Sequence, residues 1–136
     1  MRNKTRIRNS TLGVIIGLEI SILWIFMGLE SGFRFEAADL TSYWLTLGGY
    51  RYTIMTILAL ILIPTCALEK MWGFLAAVAL GGVTLTLSLT HVVHMLVAAP
   101  SGFESQLFGP VVWSIIQIPI VVCGCRAARG LREKSN

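Results

Sequence analysis

The stretch Met71–Ala99 reads MWGFLAAVALGGVTLTLSLTHVVHMLVAA and carries no Asp, Glu, Lys or Arg. A helix of that composition has no polar face to turn toward water, so water is the wrong solvent for it. A spanning helix needs about 20 mainly apolar residues, within a range of roughly 17–25. Three further runs read the same way: residues 11–29 (TLGVIIGLEISILWIFMGL), 52–68 (YTIMTILALILIPTCAL) and 110–125 (PVVWSIIQIPIVVCGC). The run at 71–99 exceeds an untilted span, so its last turns are expected to project into the interface or a vestibule. The run at 110–125 is short, and Phe108, Gly109 and a snorkelling Arg126 extend it.

Charge placement supports this reading. Charged residues make up 13% of the chain, against about 25% in a soluble domain, too few to cover a surface facing water. Of the 11 Lys and Arg, all but Arg34 and Arg51 fall in three places: Arg2, Lys4, Arg6 and Arg8; Lys70; and Arg126, Arg129, Arg132 and Lys134. They flank apolar runs and form no aromatic-interleaved basic surface, so no nucleic-acid partner is expected. The positive-inside rule puts all three clusters, and hence both termini, on the cytoplasmic side. The start of the chain imitates a signal peptide, but Glu19 inside the run and the poor small-x-small match in FEAAD favour a retained first span.

The expected architecture is one all-α polytopic domain in a plasma (inner) membrane. A basic N-terminus (1–10) precedes a four-helix transmembrane bundle (11–125), and a basic tail (126–136) follows it. The outer loop 30–51 is rich in aromatic residues, and its 40–47 segment, capped by Asp39, is expected to lie flat at the interface.

Glu19 is the residue that most needs a reason. It sits at the middle of the first run, where an acidic residue costs roughly 2.5–3.5 kcal/mol to insert. Hydrocarbon disfavours an unpartnered polar group, so a partner for its carboxyl is expected. One role is ion coupling; the plainer role is a hydrogen bond to a neighbouring helix. By depth, Thr84 and Gln117 fall in the same layer, and the three could satisfy one another. For Thr84 and Gln117 an ordinary helix–helix hydrogen bond is the simpler account.

Small residues mark contact faces: Gly13 with Gly17, Gly28 with Gly32, and Ala77 with Gly81. Gly13, Gly17 and Ser21 share one stripe of the first helix, and Glu19 lies about 160° from Gly17. Both faces of that helix therefore call for protein contacts, which points to a homo-oligomer or a larger membrane complex.

His91 and His94 are three apart and share a helical face near the outer boundary. With Met95 and Glu30 they make a candidate site for copper or haem, provided Met27, Glu30 or Met55 comes within reach. A hydrated polar rim is the simpler reading, and no cofactor is predicted. Cys66, Cys123 and Cys125 lie at the cytoplasmic ends and are expected to stay reduced. No soluble-type catalytic motif is present.

Three functions fit these residues. The first is a non-enzymatic accessory or assembly subunit. The second is an oligomeric proton- or cation-coupled transporter using Glu19. The third is a metal- or haem-handling redox protein using His91 and His94.

Overall fold

The computed structural model describes the backbone of residues 2–35, 47–98 and 103–135. It describes side chains within 4–27, 54–97 (His91 and Met95 excepted) and 108–135. Four α-helices follow one another: α1 (Arg2–Phe35), α2 (Leu47–Ala67), α3 (Met71–Ala98) and α4 (Phe103–Ser135). Among the described residues there is no strand. Three helical stretches, Lys4–Met27, Met71–His94 and Phe108–Ser135, are long and apolar enough to cross a membrane. The described apolar part of α2, Ile54–Ala67, is shorter. The expected interfacial segment at 40–47 falls largely outside the described residues.

Each helix turns a narrow stripe inward, and the stripes share one register. On α1 the buried stripe positions are Ile7, Thr11, Val14, Leu18, Ser21 and Ile25, with Ser10 and Gly17 buried beside them. On α2 they are Met55, Ala59, Leu62 and Cys66. On α3 they are Phe74, Ala77, Gly81, Thr84 and Ser88, with Gly73 also buried, and on α4 Trp113, Gln117, Ile120, Gly124 and Ala127, with Ser114 and Gly130 also buried. The steps alternate between three and four residues, which is the spacing of helices packed in a left-handed bundle. In this packing α4 lies against both α1 and α3, and α2 touches the same two helices.

The bundle is inverted relative to a soluble one. Ser, Thr, Gly and Gln occupy much of its interior, while Leu23, Leu75, Val83, Val93 and Ile115 are exposed. Lipid tails are as apolar as leucine, so packing, close approach and hydrogen bonds hold the helices together rather than hydrophobic burial.

The helices run well past the apolar limits read from the sequence. α1 has 34 residues, about 51 Å at the α-helical rise, against a hydrocarbon core of about 30 Å. The basic segments 1–10 and 126–136 are therefore mostly helix. Lys, Arg and Ala favour helix, and the inner stripe continues through them: Ile7, Ser10 and Ala127 are buried, and Leu131 packs on the core. Hydropathy marked where the apolar residues stop, not where packing stops. Pro110 and Pro119 lie inside α4, and Pro64 lies inside α2.

α2 ends in a tight turn into α3. The Lys70 amide donates to Thr65 O at 3.1 Å and the Glu69 amide to Cys66 O at 2.9 Å. That is the paired pattern of a Schellman motif, which satisfies carbonyls the helix end leaves open. Lys70 O then accepts from the Gly73 amide at 3.0 Å, starting α3. The motif forces Glu69 into the left-handed region, at φ 52°, where a side chain is strained and glycine is not. Glu69→Gly is expected to stabilise the chain against unfolding in mixed micelles by about 0.5 kcal/mol, net of the freedom glycine adds to the unfolded chain. A loss of stability would show that the Glu69 side chain offsets its own strain.

Candidate functional site

Close approach of backbones builds the centre of the bundle. A Cβ added at Gly13 would fall 2.6 Å from Cys123 Sγ, and one at Gly17 would fall 2.5 Å from Ile120 Cγ1. At Gly81 it would meet Val121 and Ile120 at 3.1 and 3.2 Å. Ala77 is fully buried beside them. At Gly13, Gly17 and Gly81 the atoms that come this close all belong to α4. The side-chain surroundings of Gly28 and Gly32 lie outside the described residues.

With α1 and α3 drawn close to α4, one polar layer closes across three helices. Gln117 is 2% exposed. Its Nε2 donates to Ser21 Oγ at 3.2 Å, and its Oε1 accepts from Thr84 Oγ1 at 3.1 Å. Ser21 Oγ in turn donates to Gly17 O at 2.8 Å. The directions are consistent: hydroxyl to amide oxygen, amide nitrogen to hydroxyl, hydroxyl to backbone carbonyl. Thr84 Oγ1 also lies 2.9 Å from Leu80 O and 3.1 Å from Gly81 O, so its single proton has intrahelical alternatives.

The pairing of Thr84 with Gln117, read from depth alone, is present. The third member is Ser21, not Glu19. Those two residues differ by only about 3 Å in depth but by about 200° around the helix. Glu19 is exposed on the outer side of α1. No hydrogen bond or ion pair reaches it among the described residues. Ser21 was findable, because it shares the Gly13–Gly17 stripe; depth was the wrong coordinate for choosing between it and Glu19.

Glu19 is flanked by a second regular stripe. Leu12, Ile16, Leu23 and Phe26 are all exposed, and with Glu19 they step by four, three, four and three residues. Toward the N-terminus the same register passes through exposed Asn9 and Thr5. This outer stripe stands half a turn from the buried one. One face of α1 is packed within the chain and the opposite face, with Glu19 on it, is exposed.

The end of the bundle away from the two chain termini is built differently. Ile25, Met55 and Trp113 form a small buried cluster, with Trp24 and Leu80 packed against it. Trp24 also stacks at a tilt on Phe108, with ring centroids 6.2 Å apart. The Trp113 indole nitrogen is buried without a hydrogen-bond partner among the described residues. Met55 is committed to this cluster, and Met27 and His94 are exposed. The side chains of His91, Met95 and Glu30 lie outside the described residues. Among the described residues no three His, Cys, Asp or Glu side chains gather as metal ligands.

Replacing Gln117 by leucine is expected to cost about 1 kcal/mol, because interhelical hydrogen bonds in lipid average roughly 0.6 and reach about 1.7 kcal/mol. Ser21 and Thr84 keep their backbone acceptors in that variant. A double-mutant cycle with Ser21→Ala, read by unfolding in mixed micelles, should give a coupling near 0.6 kcal/mol. A coupling of zero would mean the layer contributes nothing to holding α1 on α4.

No protein family, curated protein or solved structure matches this chain.

Proposed function

We propose that this chain is a non-enzymatic assembly subunit of a membrane complex, and that it joins the complex through the outer face of α1. One observation carries the reading: Glu19 stands near mid-span on a face that the chain's own helices leave open. Intramembrane carboxyls are costly and almost always face protein or a water-filled cavity. The interior at that depth is filled by Leu18, Ile120 and Gln117, all fully or nearly fully buried. The protein Glu19 calls for is therefore outside the chain.

The rest of the reading follows from charge. The chain crosses an inner (plasma) membrane four times with both termini in the cytoplasm, because the basic residues of both helical extensions and of the Lys70 turn then share one side. α2 completes the even count. Its described part is short, but Tyr52 and Thr53 extend the apolar run to the length a span needs.

The two functions set beside assembly fare differently. Oligomeric proton- or cation-coupled transport would need Glu19 to line a path between chains, because it faces away from the polar layer closed around Gln117. Metal or haem handling would use His91 and His94 with Met95 and Glu30, and of these His94 is exposed while the other three side chains lie outside the described residues.

The test is the size of the native complex. Extracted in mild detergent, the wild-type chain should migrate in a discrete assembly larger than one chain. Glu19→Leu should shift it to lower mass, with insertion unchanged by protease protection, and Glu19→Gln should largely preserve the assembly. Identical migration of wild type and Glu19→Leu would refute the role of this face.

A further inference from the structure

We propose that the end of the bundle carrying both chain termini binds anionic phospholipid headgroups, with the arginine face of α4 as the main contact. The inference stands apart from the assembly reading and holds whatever covers Glu19.

The first observation is unmatched charge. Lys4, Arg6 and Arg8 on α1, Lys70 in the turn, and Arg126, Arg129 and Arg132 on α4 are all exposed. Among the described residues, the acidic side chains at that end are Glu69 and Glu133, and no ion pair joins either of them to a base. The counter-charge for these cations therefore comes from outside the chain.

The second is their common depth. Gly13 lies against Cys123 and Gly17 against Ile120, so α1 and α4 run antiparallel. Carried to the end of the bundle, that register sets Arg8 level with Ala128 and Lys4 level with Arg132. On α3, Gly81 lies against Val121, and Gly124 lies against Val78 and Phe74 O, which brings Lys70 level with Gly130. The seven bases thus fall between the levels of Arg126 and Arg132, a slab about 9 Å deep at the helical rise. One headgroup layer is about 5–8 Å thick. Trp72 is exposed within the same slab, and tryptophan favours the headgroup level. The slab is held by packing, since Ile7, Ser10, Ala127 and Gly130 are buried at its levels or just beside them.

The third is direction. On α4 the exposed apolar stripe Ile115, Ile118 and Val122 passes straight into Arg126, Arg129 and Arg132, within about a third of the helix circumference. The face that meets acyl chains along the span therefore meets headgroups as it leaves the hydrocarbon. Guanidinium suits that position, because its fork of N–H donors matches two phosphate oxygens. A soluble acidic partner would reach the end of the bundle, whereas these arginines stand on its flank.

The experiment reads lipid selectivity of the full chain, purified and reconstituted in phosphatidylcholine vesicles. Trace spin-labelled phosphatidylglycerol or phosphatidylcholine is added, and the fraction immobilised at the protein surface is measured. Both leaflets have one composition, so the direction of insertion does not enter. Phosphatidylglycerol should be preferred about fivefold at low salt, and the preference should fall as chloride is added. Replacing Arg126, Arg129 and Arg132 together by glutamine should remove most of it, while replacing them by lysine should keep most of it, with helix content by circular dichroism unchanged in both. The proposal is overturned by a wild type without preference, by a glutamine variant that keeps it, or by a lysine variant as impaired as the glutamine one. It is equally overturned if inorganic phosphate abolishes the preference and chloride at equal ionic strength does not, because the cations would then serve a soluble anion.

Discussion

In hydrocarbon a polar group has no solvent to fall back on, and the architecture of this chain depends on where each one finds a partner. Gln117 finds two. Its amide ties Ser21 on α1 to Thr84 on α3 through α4, so the middle of the bundle is fixed by one side chain held from both sides. The glycines serve the same end. Gly13 and Gly17 let α1 approach α4 until a single added carbon would clash with Cys123 or Ile120. Without that approach the Gln117 amide would not reach Ser21.

The same constraint turns Glu19 into the chain's open question to its surroundings. Ser21 and Glu19 are close in depth and opposite in direction. Rotating α1 to bring Glu19 inward would take Gly13, Gly17 and Ser21 away from α4 and put Ile16 and Leu12 in their place. The close packing and the closed polar layer hold α1 in the rotation that leaves Glu19 outside. Its exposure is thus a consequence of the interior rather than an isolated feature of α1.

Much of this was legible in the sequence. The uncharged run at 71–99 and the clustered basic residues marked an all-helical chain with lipid-compatible surfaces. Depth counting put Thr84 and Gln117 in one layer, where a hydrogen bond joins them, and α4 comes close at Gly13, Gly17 and Gly81. Two things were not legible. The helices could not be ended correctly, because hydropathy reports solvent, while Ile7, Ala127 and Leu131 continue the packing beyond the apolar runs. The rotation of α1 could not be chosen, because both of its faces carry the same four-and-three pattern; only the fit of Gly13 and Gly17 onto α4 decides between them.

The central claim is that protein, not lipid, covers the Leu12–Phe26 face of α1 in the membrane. Spin labels placed one at a time at Ile16, Leu23 and Val83 of the chain in native-like bilayers test it directly, through their exposure to oxygen dissolved in the acyl chains. The account predicts strong shielding at Ile16 and Leu23 and full accessibility at Val83. Equal accessibility at all three positions would mean that lipid alone covers α1 and that Glu19 stands unpartnered, contradicting the account.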